Sequence, residues 1–254
     1  MSVTTLLEAR HLVKQFGGLV AVNNVSLQVQ RGALHSIIGP NGAGKTTLFN
    51  LLSGYLKPTA GHVLFKGHDL TRVPTHRIAH LGVGRSFQIT NIFPNLTVLE
   101  NVRLAAQAMG GDSFKLFRPA SRFPQYEARA VDVIQLVGLG GKEGVVAAAL
   151  PHGDKRKLEL GILLAPDPEL LLLDEPTAGM ASEQVPELMN TIADIRRQGA
   201  KTIMLVEHNM NVVMNVSDRI TVMHQGAVLA EGTPAEIAAN ETVQSAYLGH
   251  LYGH

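Results

Sequence analysis

The run Gly39-Pro40-Asn41-Gly42-Ala43-Gly44-Lys45-Thr46-Thr47 constrains this chain more than any other stretch, because an apolar strand-like segment, Leu34 to Ile38, leads into it and a helical one, Thr46 to Leu52, leads out. Strand, glycine-rich loop and helix in that order make a phosphate cradle. Glycine lets the backbone bend until successive N–H groups point at one anion. The helix start adds unpaired N–H groups and the positive end of its dipole. Lys45 then supplies a point charge for the terminal phosphates of a nucleotide, and Thr46 a hydroxyl for Mg²⁺. A plain glycine turn beside a solvated lysine would share the composition, but it would not need the flanking strand and helix.

A second signal lies downstream, where Leu170-Leu171-Leu172-Leu173 ends in Asp174-Glu175. An uninterrupted apolar run of this length reads as a strand buried on both faces, as in a parallel sheet. Ligands of such sheets sit at the carboxyl ends of the strands, so both acids are expected to face the cradle. Asp174 suits Mg²⁺ through its water shell, and Glu175 suits polarising a water for attack on the γ-phosphate. Alone, the acids would read equally well as a solvated turn before Pro176.

The rest of the chain supports an α/β organisation. Leu6 to Val13 and Val22 to Val29 alternate apolar and polar residues, as half-exposed strands do. His62 to Lys66 reads as a strand and Thr75 to Leu81 as a short helix. From Val98 to about Val137 the pattern is helical, broken at Gly110-Gly111-Asp112-Ser113, Pro119 and Pro124. Beyond it helix and strand alternate: Asp154 to Leu164, Leu170 to Leu173, Glu183 to Arg197, Thr202 to Val206, Asn209 to Val216 and Ile220 to His224. His35, inside the strand before the cradle, reads as a satisfied core histidine. Met204, Met210 and Met214 read as core filling.

Composition excludes several classes. With 254 residues and 45% hydrophobic content the chain can bury a full core, and a net charge of +1 without a dense Lys/Arg block gives no footprint for nucleic acid. Zero cysteines exclude disulfides and thiolate metal sites. Met1 to Arg10 lacks a cationic segment followed by an apolar one, so no secretory signal is expected there. The apolar stretches near Leu158 to Ala165 and Leu170 to Leu173 are split by Pro166-Asp167-Pro168-Glu169, too short to span a bilayer. Membrane association is therefore expected to go through a partner.

Taken together these motifs resemble the ATP-binding-cassette ATPases from about Leu6 to Leu251. The resemblance implies ATP and Mg²⁺ as ligands of a P-loop NTPase cassette, with an N-terminal antiparallel β subdomain, a RecA-like parallel core and an inserted helical subdomain. It implies one cassette domain with residues 1–88 as β subdomain and P-loop core, about 89–165 as helical subdomain and about 166–254 as the remainder. Arg85-Ser86-Phe87-Gln88 matches the family's Q-loop, which gives Gln88 a role at Mg²⁺ or the attacking water. Val206-Glu207-His208 matches the switch region, which sets His208 against the γ-phosphate. Phe16, before Gly17-Gly18, falls where the family stacks an aromatic on adenine; core packing after a strand would explain it equally simply.

The chain departs from the family at the signature loop, Leu-Ser-Gly-Gly-Gln, aligned here with Leu150-Pro151-His152-Gly153-Asp154. Pro151 has neither hydroxyl nor N–H to give a phosphate across the cassette dimer. Gly153 and the following helix start still offer backbone N–H groups. Ala178-Gly179-Met180-Ala181 also ends in Ala where the family has Asp or Asn. Together these imply that, provided the opposing subunit contributes an intact signature, the site built on Lys45, Asp174, Glu175 and His208 outperforms its mirror site, which borrows this chain's signature. Lys155-Arg156-Lys157 reads as a solvated helix face.

Within the family, Phe16 to Val25, Phe87-Gln88, Ile92 to Val102, Ala178-Gly179-Met180, Glu207 to Met210 and Ala246 to Gly249 are similar to the ATPases of branched-chain amino acid importers and their urea and amide relatives. That implies a second ATPase subunit, homodimer or heterodimer, two membrane permeases and indirectly a solute-binding protein, at the cytoplasmic face of the membrane. Ile92, Phe93 and Leu96 are expected to form a groove for the permease's coupling helix, or to pack under a loop. An ATPase for lipid or lipopolysaccharide export is the second reading. A DNA or ribosome cassette would need a coiled coil, a tandem cassette or a basic tract, and none is present.

Overall fold

The computed structural model describes residues 4–86, 92–108, 110, 124–199 and 201–252. Its entry is a long hairpin, β1 (Thr5–Phe16) and β2 (Leu19–Gln30), turned by Gly17-Gly18. Both strands outrun the expected ones because so tight a turn lets pairing continue to Phe16↔Leu19. The alternation is not clean. Register shifts between Ala9 and Leu12 mark bulging, and His11 and Asn24 adopt positive φ of 49° and 53°. After the cradle the chain returns to add β4 (Ala60–Phe65) and β5 (His68–Asp69), giving an antiparallel sheet in the order β2-β1-β4-β5.

The second sheet holds β3 (Leu34–Ile38), β6 (Val83–Arg85), β7 (Leu170–Asp174), β8 (Thr202–Val206), β9 (Arg219–His224) and β10 (Ala227–Gly232), in the order β10-β9-β3-β8-β7-β6. Pairing is parallel from β9 to β6, and β10 joins antiparallel at one edge. The sequence reading missed β10, although Gln225-Gly226, with φ of 47° and 82°, makes the tight turn a hairpin requires.

Each central strand feeds two cores at the period of two that strand geometry imposes. Leu170, Leu172, Met204 and Val206 join β1, β2 and Phe49 on one face; Leu171, Leu173, Ile203 and Leu205 join the helices on the other. The first face receives α1 (Lys45–Leu52), with α2 (Thr75–His80) beside it through Ile78. The second receives α3 (Val98–Ala108), α4 (Pro124–Leu136), α5 (His152–Leu164) and α6 (Val185–Gly199). The chain closes with α7 (Met210–Val216), α8 (Pro234–Ala238) and α9 (Glu241–Tyr252). Met204 is buried, and Met210 and Met214 pack against the cluster around Val213.

Three local expectations need correction. Pro124 opens α4 instead of interrupting a helix, because its fixed φ suits a first helical position. The signature helix α5 starts at His152, so Gly153 sits in its first turn. Lys155-Arg156-Lys157 is no solvated face: Lys157 is 6% exposed and pairs with Glu187 at 2.5 Å, and Arg156 bridges Glu159 and the Ala178 carbonyl at 2.9 Å each. Tertiary packing of α5 against the chain after β7 overrides local polarity.

His35 is buried in β3, its Nε2 2.7 Å from Thr221 Oγ1, which donates in turn to Glu231. Burial lowers its pKa from the ordinary 6.5 to about 4; the Glu231 charge opposes that shift and Arg219 adds to it. A depressed histidine binds fewer protons folded than unfolded, so stability present above pH 6.5 is lost as pH falls toward 4. Over that window the loss is expected to reach on the order of 3 kcal/mol. Denaturant titrations at pH 7 and 4.5 check it, with His35→Gln expected to flatten the slope.

Candidate active site

β3 delivers the cradle, and two glycines decide its shape. Gly39 has φ 153°, and a Cβ there would lie 2.2 Å from the Met223 carbonyl oxygen; Gly44 has φ 94°, and a Cβ would lie 2.4 Å from that of Ala21. Neither position accepts a side chain. Gly44 is the N-cap of α1 and no side chain caps that end, which leaves its first-turn N–H groups to a ligand. The Gln225-Gly226 turn braces the loop, since the Gly226 N–H donates to Ala43 and the Asn23 N–H to Gly226.

Lys45 is 6% exposed and folds back over the loop, its Nζ donating to the Gly39 and Pro40 carbonyls at 2.7 and 3.0 Å. Burial lowers its pKa, while the Glu175 and Asp174 charges pull the other way. A cleft of about 560 Å³ joins Asn41 to Thr47 with Glu175 and His208. Thus the cradle, the acid after β7 and the histidine after β8 face one space, 130 and 33 residues apart in the chain respectively for Lys45–Glu175 and Glu175–His208.

Glu175 reaches the cleft by a bend. Its φ is 50°, a left-handed conformation costing a non-glycine residue about 1 kcal/mol. Its N–H donates to the Val206 carbonyl, and His208 Nε2 donates to its Oε1 at 2.6 Å. Behind it, Asp174 is wholly buried and lines a smaller cavity with Ser86, Arg156 and Glu159. Neither Asp174 oxygen has a hydrogen-bond partner among the described residues. Burial raises its pKa most, and Arg85, 3.9 Å away, opposes that. An unpartnered buried carboxylate beside Glu175 fits a divalent cation, which takes one or two carboxylates plus phosphate oxygens and water. A protein-only metal cage is absent among the described residues.

The remaining expectations divide. Gln88 and Phe87 lie outside the described residues. Phe16 is 46% exposed with the Lys14 ammonium 4.9 Å over its ring, and the cleft is lined instead by Leu19, Val20 and Ala21 of β2. Gly153 stands at the start of α5, beside Gln184, and outside the cleft of its own chain. Ile92, Phe93 and Leu96 do not line an apolar groove of about 380 Å³ that the described residues form between Tyr55, Ile78, Ala105, Ile162 and Leu163, and Ile92 packs against the helical core instead.

Two residues escaped the sequence reading. Glu207 is buried and accepts from the Thr177 N–H and hydroxyl at 3.0 and 2.7 Å, tying the chain after Glu175 to the His208 turn. Arg85 reaches Asp174. Both stood beside motif residues, but nothing in their types marks such contacts.

Residues 22–178 match the family model for ABC transporters, and residues 227–251 match one for branched-chain amino acid ATP-binding cassette transporters. The chain is 44% identical over 249 residues, 96% of its length and 98% of the relative's, to the high-affinity branched-chain amino acid transport ATP-binding protein LivG of Salmonella typhimurium. It is similar to a solved ATP-binding cassette of an ABC transporter in its ADP conformation, with TM-score 0.84, 29% identity and coverage of 97% of this chain and 99% of that one. A dimeric post-hydrolysis cassette bound to ADP and Pi matches with TM-score 0.75, 25% identity and coverage of 90% and 99%.

Proposed function

This chain belongs to the ABC transporter family, and from that premise we propose that it hydrolyses ATP to drive uptake of branched-chain amino acids across a membrane. The observation that carries the hydrolytic half is the meeting of Lys45, Glu175 and His208 in one cleft, with Glu175 and His208 2.6 Å apart. Lys45 and the N–H groups of Gly42 to Thr47 hold the phosphates. Glu175 accepts a hydrogen bond from the attacking water and orients it at the γ-phosphorus; His208 fixes Glu175 and contacts the γ-phosphate. The Thr46 hydroxyl and Asp174, together with Gln88, would hold Mg²⁺, which when bound would neutralise phosphate charge. Leu19 and Val20 offer the base an apolar rim beside Phe16.

Among the described residues no helix is long and apolar enough to cross a membrane, so transport requires a permease. We place its docking segment, a short amphipathic helix, in the groove at Tyr55, Ile78, Ala105 and Ile162, which puts the chain on the cytoplasmic membrane face. A second cassette completes the assembly through the signature end of α5. Lipopolysaccharide export has less support, because the match at residues 227–251 is to branched-chain amino acid cassettes.

A strain lacking the chain is expected to lose ATP-dependent uptake of labelled leucine, isoleucine and valine, with return on complementation. Ile162→Arg is expected to abolish co-purification with the permeases while the isolated chain still binds ATP. Normal branched-chain uptake in the deletion strain rules out the assigned solute; retained permease capture by Ile162→Arg rules out the groove.

A further inference from the structure

One cation is built into the wall between the apolar groove and the catalytic acids. Arg85 closes β6, and its guanidinium donates to Asn50 Oδ1 at 2.5 Å and Ser53 Oγ at 2.7 Å, at the far end of the helix that carries Thr46. It lies 5.7 Å from the Phe49 ring centroid and 5.3 Å from that of Tyr55. Its other side approaches Asp174 Oδ2 at 3.9 Å. Ser86, next in the chain, accepts the Asp174 backbone N–H at 3.1 Å. The same side chain therefore touches both elements that carry the candidate metal ligands, α1 with Thr46 and β7 with Asp174.

The surroundings make this placement costly enough to need a reason. Arg85 Nε and both Asp174 carboxylate oxygens are buried without hydrogen-bond partners among the described residues. A simple buried ion pair would close that gap with direct hydrogen bonds, since an incompletely paired buried charge is strongly unfavourable. Here the pair is held just apart by the grip of Asn50, Ser53 and the two rings. Tyr55, 64% exposed and lining the groove, covers the guanidinium from the outside. Arg85 and Ser86 line that same groove, and Ser86 also lines the small cavity at Asp174.

We propose that Arg85 is a positioning residue that fixes the spacing between Thr46 and Asp174, and that a helix seated in the groove acts on this spacing by pressing on Tyr55 and Arg85. The second clause rests on the permease reading of the groove; the first does not. A planar fork clamped at two hydrogen bonds and two ring faces is what a rigid spacer requires, and lysine cannot reproduce it. Groove occupancy and metal-site geometry then share one side chain.

The test uses the full chain, a non-hydrolysable ATP analogue and Mn²⁺ read by electron paramagnetic resonance. Arg85→Met keeps length and apolar packing against Phe49 and Tyr55, and is expected to weaken Mn²⁺ binding by about 10-fold to 100-fold, as loss of an outer-shell partner does. Affinity for the analogue in EDTA is expected to stay as in the wild type. Should Arg85→Met fail to fold, Arg85→Lys carries the test, with Mn²⁺ affinity expected to fall by less and the fold retained. Unchanged Mn²⁺ affinity, or equal losses with metal and in EDTA, overturns the positioning role. For the link to the groove, Tyr55→Ala in the assembled transporter is expected to reduce the permease's stimulation of hydrolysis. Full stimulation there, or permease capture by the Ile162→Arg chain, overturns that link whatever Mn²⁺ shows.

Discussion

Lys45→Ala is expected to reduce ATP hydrolysis by the assembled transporter roughly 10³-fold, the upper end of what loss of one preorganised donor costs. Lys45 is the cation the loop itself holds in place, through two carbonyls of the bend and through burial under the cleft floor. Its ammonium also lies close enough to Glu175 and Asp174 for each to favour its charged form. Alanine removes the charge that meets the terminal phosphates and leaves two acids facing them, which weakens ATP binding as well as turnover. The fold should survive, because the substitution frees only the Gly39 and Pro40 carbonyls, two hydrogen bonds worth about 1 kcal/mol each. Phosphate release and the thermal unfolding midpoint, measured together, decide the matter. Unaltered hydrolysis would show that the cradle is not the catalytic site.

Glu175→Gln is expected to lower turnover by about 10²-fold to 10⁴-fold, the range for loss of a general base, with ATP affinity preserved. Glutamine keeps the shape and still offers Oε1 to His208, so the 2.6 Å contact has a successor, but the amide cannot take a proton from water. The left-handed bend at Glu175 is unaffected, since it is a backbone property. Single-turnover hydrolysis measured beside nucleotide binding separates the two effects. The matching acid of the second cassette gives a contrast. Pro151 caps α5 with no N–H of its own, so in a heterodimer whose other cassette carries an intact signature the partner's nucleotide would meet a poorer donor set than the one in this cleft. Substituting this chain's Glu175 should therefore cost the assembled transporter more than substituting the partner's acid. Equal losses would remove that asymmetry.

Legibility in the sequence followed how local each cause was. The β3 and β8 strands occur where apolar runs place them, Leu34–Ile38 and Thr202–Val206, because strands buried on both faces leave an unbroken signature. The cradle was legible for the same reason, with its glycines, lysine and helix start contiguous. β10 was not, since it has a mixed burial pattern and depends on a hairpin turn set by Gln225 in a left-handed conformation. The basic triplet in α5 was misread because its partners, Glu187 and Ala178, are distant in sequence. The surroundings of Phe16 were not legible either: the hairpin turn carries Leu19 and Val20 to the cleft rim and leaves Phe16 half exposed beside Lys14.

The sequence alone determined that a polyphosphate cradle precedes a helix and that an apolar strand ends in two acids, because each of those facts is written in neighbouring residues. Tertiary structure alone decided where each acid points. Parallel pairing of β7 with β8 turns Glu175 toward His208 and the cleft, while it buries Asp174 against Arg85 on the side that reaches the groove. Adjacent residues at a strand end point to opposite sides, and which side faces substrate is set by the layers packed around the sheet, which no local pattern encodes.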